Sequence, residues 1–170
     1  NTTGCLAYVS AHLLSRFGKE MNDMVMAITT ADHRIGDDEA FRNTVKAAIW
    51  YAKEYNAMMV VGLQPNRPET GYGYIEIPED NHAAAAYGGV SIYPTVQFRE
   101  KPSKEDAESY LSRGNFYWNS GMFFWRLSIF LTALERYNPD VHKSIYAMRD
   151  ALNNEPNSES IEAIFEKLPN

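Results

Sequence analysis

Three short groups of residues along the chain carry side chains suited to phosphate and sugar chemistry. Asp32 stands just past the apolar run Met24 to Ile28, and a carboxylate at the carboxyl end of a strand is a natural ligand for magnesium. An Asp that caps the following helix would stand in the same place, so position alone leaves both roles open. His33 beside it has no second His or Cys at metal spacing and reads as structural, since hard magnesium prefers oxygen. Glu100-Lys101-Pro102 sets opposite charges side by side at a strand end, where the Lys could meet a phosphate and the Glu could accept hydrogen bonds from hydroxyls. Trp118-Asn119-Ser120-Gly121 puts an amide beside an aromatic ring and a glycine, which fits a sugar contact and equally a turn with a packing Trp.

Between these groups runs Pro65-Asn66-Arg67-Pro68-Glu69-Thr70-Gly71-Tyr72-Gly73-Tyr74-Ile75-Glu76, joining an apolar run to a second extended segment. Two prolines limit its backbone freedom, while Gly71 and Gly73 let the main chain approach a ligand or take up positive φ. A sugar offers hydroxyls to backbone groups and an apolar face to the flanking tyrosines. The same residues also build ordinary strand connections.

The elements that must position these groups alternate. Leu6, Val9, Leu13, Leu14 and Phe17 predict a first helix that stops at Gly18. Met24 to Ile28 and Met58 to Leu63 read as buried strands, with a helix between them that opens on Asp37, Asp38 and Glu39 and carries Phe41, Val45, Ala48, Ile49 and Ala52. Strand, helix and strand imply a right-handed parallel crossover, with ligands beyond the carboxyl ends of the strands. Further on, the pattern predicts a turn at Pro78 to Asn81, an unassigned Ala-rich piece, and a strand from Thr95 to Glu100 that makes the sheet mixed. A helix capped by Ser103 and stopped at Gly114 follows, then a strand from Met122 to Trp125. Ser128 and Asn138-Pro139 open two more helices, Asn153 to Ser160 reads as a polar linker, and Ile161, Ile164, Phe165 and Leu168 mark a last amphipathic segment.

Length and a 45% hydrophobic content fit one domain, or most of one, with a substantial core. A formal charge of −6 and the lack of any long basic run argue against nucleic acid or an anionic membrane surface as the main partner. Cys5 is the single cysteine, which excludes an intrachain disulfide or a cysteine-based zinc cluster and suits a reducing compartment. No apolar run approaches the length of a membrane span. The signatures of serine hydrolases, phosphate-loop ATPases and dinucleotide-binding folds are missing.

Taken in order, Ala31-Asp32-His33-Arg34-Ile35, Arg67 to Ile75, Glu100-Lys101-Pro102 and Trp118-Asn119-Ser120-Gly121-Met122-Phe123 closely resemble the motifs of the sugar-nucleotide pyrophosphorylases, over roughly residues 1 to 145. The Trp-Asn-Ser-Gly form and the long glycine loop point to the family's mannose-1-phosphate guanylyltransferase branch. The resemblance implies an α/β, Rossmann-like nucleotidyltransferase fold of the GT-A-like kind, three layers about a mixed central sheet. It implies a cytoplasmic enzyme that makes GDP-mannose and pyrophosphate from GTP and mannose-1-phosphate with Mg2+, and a homodimer is among the assemblies it allows.

Carried over residue by residue, the resemblance makes Asp32 a magnesium ligand and puts Lys101 on the sugar phosphate. Glu100 would accept from sugar hydroxyls, Gly73 would offer its backbone, and Asn119 would bind the sugar from the other side. Asn1-Thr2-Thr3 resembles the segment beside the guanine, but Gly4-Cys5 replaces the usual continuation, so these residues stay outside the site. The family's triphosphate-cradling signature would precede Asn1, and its second metal Asp would follow Asn170. The expectation is therefore that residues 1–170 form the central and C-terminal portion of one catalytic domain, incomplete at both ends and inactive alone. Two rival expectations are a non-catalytic regulatory relative that binds nucleotide sugars, and a nucleotidyltransferase for another sugar-1-phosphate.

Overall fold

The computed structural model describes residues 2–154 and 158–168. They divide into two compact units. The first is helical and comprises residues 1–26, 56–58 and 125–170. Its helices are α1 (Thr2–Phe17), α4 (Leu127–Tyr137), α5 (Pro139–Asn154) and α6 (Ser158–Phe165), with a 3-10 helix over Gly18–Asp23. α1 packs on α5, and its buried face is Gly4, Ala7, Ser10, Ala11 and Leu14, mostly small residues that admit close neighbours; Gly4 lies against the Phe165 ring of α6, where a Cβ would be 2.9 Å away. This corrects the expected stripe: Leu14 belongs to the buried face, whereas Val9 is exposed and Leu6, Leu13 and Phe17 are half-buried beside it. Val141, Ile145 and Met148 are buried on α5, as their spacing predicts.

Asn138 and Pro139 restart the chain as expected, with Asn138 Oδ1 accepting from the Val141 N–H at 3.4 Å. Ser128 does not cap α4, because the helix begins one residue earlier with Arg126 at the cap position, and Ser128 lies inside the first turn. The expected linker is shorter than read, since α5 reaches Asn154 and α6 starts at Ser158, while residues 155–157, like Pro169 and Asn170, lie outside the described residues.

The second unit, residues 27–55 and 59–124, carries the sheet. Its elements are β1 (Val25–Ile28, entering from the first unit), α2 (Asp38–Tyr55), β2 (Met59–Leu63), β3 (Tyr74–Glu76), β4 (Ala85–Tyr87), β5 (Val90–Ile92), β6 (Gln97–Arg99), α3 (Lys104–Arg113) and β7 (Phe116–Arg126). The sheet runs β1-β7-β3-β6, with β2 also paired to β7. The strands β1 and β2 that the sequence suggests as a crossover pair are therefore each bonded to β7. β7 is antiparallel to both β2 and β3, and β3 to β6.

Alternation along β3 explains the layers. Tyr74 faces α3, where it is buried with Ala107, Phe116 and Trp118, while Ile75 and Ile77 face α2. A cleft of about 260 Å3 lies on the α2 side, lined in part by β5, and none of the five candidate site residues lines it. The hairpin is the unassigned Ala-rich piece: Gly88 and Gly89 at its tip have φ of 57° and 83°, the positive values that a tight two-residue turn requires. Ser103 caps α3 as expected, its Oγ accepting from the Asp106 N–H at 3.1 Å, and Gly114 ends it in the left-handed region at φ 74°.

Candidate functional site

β7 is much longer than the four residues its apolar run suggests, because Trp118-Asn119-Ser120-Gly121 is not a turn but part of the strand. It is bulged there. Val60 pairs with Phe123 and Gly62 with Asn119, so two steps along β2 answer four along β7. Gly121 takes φ 72°, which a side chain would strain. The bulge satisfies itself: Asn119 Oδ1 accepts from the Gly121 N–H at 3.0 Å and Ser120 Oγ from the Met122 N–H at 3.1 Å. With its oxygen engaged in this way, Asn119 keeps an amide nitrogen, a pure donor, that makes no hydrogen bond with the described residues.

The glycine loop meets this strand directly. The Asn119 N–H donates to the Gly73 carbonyl at 2.8 Å, and that carbonyl keeps a second lone pair. On the other side of Gly73 stands Glu100, whose carboxylate lies so close that a Cβ on Gly73 would be 2.8 Å from Oε1. Three of the five candidates, Gly73, Glu100 and Asn119, therefore converge, although they come from three separate stretches of chain.

Lys101 follows Glu100 at the end of β6, exposed, with φ 44°. For a residue other than Gly, Asn or Asp this left-handed backbone is uncommon and costs energy, and it turns the side chain away from the direction of the strand. Its ammonium makes no hydrogen bond or ion pair with the described residues.

Asp32 lies in the exposed segment between β1 and α2. It is not the cap of α2: Asp37 Oδ1 takes that role, accepting from the Glu39 and Ala40 N–H groups at 3.0 and 2.9 Å. Asp32 is left with no bond to the described residues, an unengaged carboxylate. Its segment reaches the bulge at one point, where a Cβ on Gly121 would be 3.2 Å from the Thr30 methyl group. Asp32 itself is not brought against Gly73, Glu100 or Asn119 by any hydrogen bond. His33 is exposed like its neighbours, and no group of three or more His, Cys, Asp or Glu that could hold a metal occurs among the described residues.

The loop from Pro65 to Gly73 contains partners that single-residue reasoning does not pick out. Arg67 lies over the Trp118 ring, 5.1 Å from its centroid, and Tyr72 meets the same ring edge-on at 5.4 Å. Arg67 Nε also pairs with Glu69 Oε2 at 3.2 Å. The Gly71 N–H and then the Arg67 guanidinium hold the Glu69 carboxyl below its ordinary range. The available signal was a carboxylate two residues before a glycine, which can bend back onto that glycine's N–H as an Asx side chain does. Behind the loop, Glu76 is buried and accepts from Gln97 and from Arg113, the latter at 2.8 Å; Gln97 first and then Arg113 draw its carboxyl below the ordinary range. Burial, and after it the neighbouring Tyr93, pushes the Tyr117 phenol up.

The long bulged strand β7 thus meets the glycine loop at Asn119 and Gly73, with Glu100 beside Gly73 and Asp32 on the separate exposed segment past β1. The chain belongs to the nucleotidyl transferase family, whose model matches residues 2–161. It is 38% identical over 141 residues to the mannose-1-phosphate guanylyltransferase of Escherichia coli K12, covering 83% of this chain and 28% of that protein. To the alginate biosynthesis protein AlgA of Pseudomonas syringae it is 37% identical over 142 residues, 84% of this chain and 27% of the relative. Among solved structures it resembles a Thermus thermophilus protein described as a mannose-1-phosphate geranyltransferase, with a TM-score of 0.76, 29% identity, and coverage of 98% of this chain and 43% of that one. The chain thus spans a little over a quarter of the curated relatives it matches.

Proposed function

We propose that the protein makes GDP-mannose: an oxygen of α-D-mannose-1-phosphate attacks the α-phosphorus of GTP, a new phosphorus–oxygen bond forms, and pyrophosphate leaves. The convergence of Gly73, Glu100 and Asn119 carries this reading, since it brings a backbone acceptor, a carboxylate acceptor and an amide donor to adjacent positions. Hydroxyls that both donate and accept need such a mixture. The names of the similar proteins supply the sugar and the base.

Lys101 provides the cation for the sugar phosphate from the residue next to Glu100, so one strand end holds both ends of the substrate. Both substrates are strongly anionic, and positioning together with charge neutralisation does most of the work in phosphoryl chemistry. Asp32 fits Mg2+: a single free carboxylate oxygen donor suits an ion that completes its shell with water and substrate phosphates, and does not suit zinc. When bound, magnesium would neutralise charge on the phosphates. GTP and mannose-1-phosphate are the partners of this reading, and a cytoplasmic setting accords with the one cysteine, Cys5, being free and exposed. Among the described residues no helix is long and apolar enough to cross a membrane.

The test is pyrophosphate release by the full-length protein, in which this and the variants below are measured, over a panel of sugar-1-phosphates and nucleoside triphosphates. Highest turnover with mannose-1-phosphate and GTP is expected. Preference for glucose-1-phosphate with UTP or dTTP would replace the specific assignment and keep the reaction class, and no release or binding with any pair would overturn it.

A further inference from the structure

Glu69 uses both its side chain and its main chain to brace the loop. Its Oε1 accepts from the Gly71 N–H at 3.2 Å and its Oε2 from Arg67 Nε at 3.2 Å. Its own N–H and C=O exchange two bonds with the Tyr74 hydroxyl, at 3.0 and 2.9 Å. Tyr74 is fully buried and held in β3 between β6 and β7, so residue 69 is tied to the sheet from inside. From there the Glu69 carboxylate reaches forward to Gly71 and back to Arg67, whose guanidinium rests on Trp118. The three residues that separate this anchor from Gly73 include Gly71, and a segment with two glycines gives up much backbone freedom when it is ordered.

The carboxylate plays little part in the core. Its side chain is 30% exposed, and the hydrogen bonds it makes go to its own loop. A group so placed determines the shape of the loop rather than the stability of the fold. Gly73, at the far end of the braced stretch, is the residue that Asn119 and Glu100 both approach.

We infer that Glu69 is a positioning residue: it holds the stretch from Glu69 to Gly73 in the conformation that presents Gly73 beside Asn119, and so sets affinity for the sugar phosphate without touching it. The inference rests on the sugar reading proposed above. It separates two jobs within one loop, since the main chain of Glu69 ties the loop to Tyr74 whatever its side chain, while the carboxylate alone fixes Gly71.

The experiment compares the wild type with Glu69→Ala and Glu69→Gln by amide hydrogen exchange at Gly71 and by separate calorimetric titrations with mannose-1-phosphate and GTP. Glu69→Ala should speed exchange at Gly71 and weaken mannose-1-phosphate binding about tenfold, the size expected for a lost charge-assisted hydrogen bond. GTP binding should stay as it was. Glu69→Gln keeps an acceptor for the Gly71 N–H and should recover most of the loss. Faster exchange with unchanged sugar-phosphate affinity would overturn the inference, as would equal weakening of GTP. So would a Gln variant no better than Ala, because an acceptor for the Gly71 N–H would then not be what sets the affinity. A wild type that binds no mannose-1-phosphate overturns the proposed function, and this inference with it; a wild type that binds it as tightly as Glu69→Ala overturns this inference alone.

Discussion

The carboxylate of Glu100 occupies the place that a side chain on Gly73 would take, 2.8 Å from the position of its Cβ. Gly62 is as crowded, with a Cβ there 2.8 Å from Cβ of Tyr117, but the two collisions differ in kind. Glu100 is exposed and its far end can swing away, whereas the Tyr117 Cβ is fixed to β7. Gly73→Ala should therefore leave the melting temperature close to wild type and weaken mannose-1-phosphate binding by moving Glu100. Gly62→Ala should cost about 1–3 kcal/mol of stability, the usual range for overpacking. Thermal melts and calorimetry on the pair would show the division, and equal losses of stability would contradict it.

Lys101 combines a charge with a backbone at φ 44°. Lys101→Met removes the ammonium and keeps the length, so mannose-1-phosphate binding should fall by roughly 1.5–3 kcal/mol. Asn tolerates left-handed backbone well, so Lys101→Asn should lose the same affinity without backbone cost. GTP binding in the absence of sugar phosphate should hold in both. Weaker GTP binding in either variant would place Lys101 on the triphosphate.

Asn119→Asp keeps an oxygen for the Gly121 N–H, so the bulge should survive. It replaces the amide donor with an acceptor that carries negative charge, facing a substrate that is itself anionic. Binding of mannose-1-phosphate should weaken by about tenfold or more, given the cost of unmatched polar groups. A near-normal KM for mannose-1-phosphate in the variant would remove Asn119 from the site.

Asp32→Asn should unfold nothing, because the carboxylate is exposed and the cap of α2 belongs to Asp37. Turnover should drop strongly, and isothermal titration should show weakened Mg2+ binding. Near-normal turnover with unchanged magnesium dependence would show that the metal does not depend on Asp32.

Acid should act on the fold through Glu76. Its carboxyl lies below the ordinary 4.5 because Gln97 and Arg113 favour the charged form. The stability this contributes is fully present above about pH 4.5, the value the unfolded chain regains, and disappears as pH falls through the lower folded value. Glu76→Gln should flatten that acid limb and cost about 1–2 kcal/mol at neutral pH. The loss is held down because Arg113 is partly solvated and keeps Glu79 as a partner at 3.0 Å. Urea midpoints at neutral and acid pH, wild type against variant, measure both effects.

Much of this fold was legible because it is written in local chemistry. Ser103 and Gly114 bracket α3 as their residue types require, and the apolar runs of β1 and β2 lie within a residue of where they read. What stayed hidden depends on partners far along the chain. Asn, Ser and Gly in Trp118-Asn119-Ser120-Gly121 carry turn chemistry, and only the pairing of the residues on either side of Ser120 and Gly121 with β2 and β3 keeps the stretch within a strand. The buried face of α1 could not be read from Leu and Val positions, because a close neighbouring helix selects small residues. That Asp32 is not the helix cap could be seen only once Asp37 was found to hold the helix start. The loop at Pro65 to Gly73 was legible as an ordered connection by composition, but its brace at Glu69 was not, since that depends on where Tyr74 and Trp118 stand.

The bulge in β7 inserts two residues, and an even number matters. One extra residue would turn every later side chain of the strand to the opposite face, exchanging core for solvent. Two return the alternation to phase, so Met122 and Phe124 are buried in step with Phe116 and Trp118. The strand can therefore carry an irregular, polar stretch in its middle while its two ends obey one rhythm. A two-residue deletion of Ser120 and Gly121 would leave the sheet's parity intact and remove the Gly121 N–H that engages the Asn119 oxygen, so this strand can change its polar middle without rewriting the core.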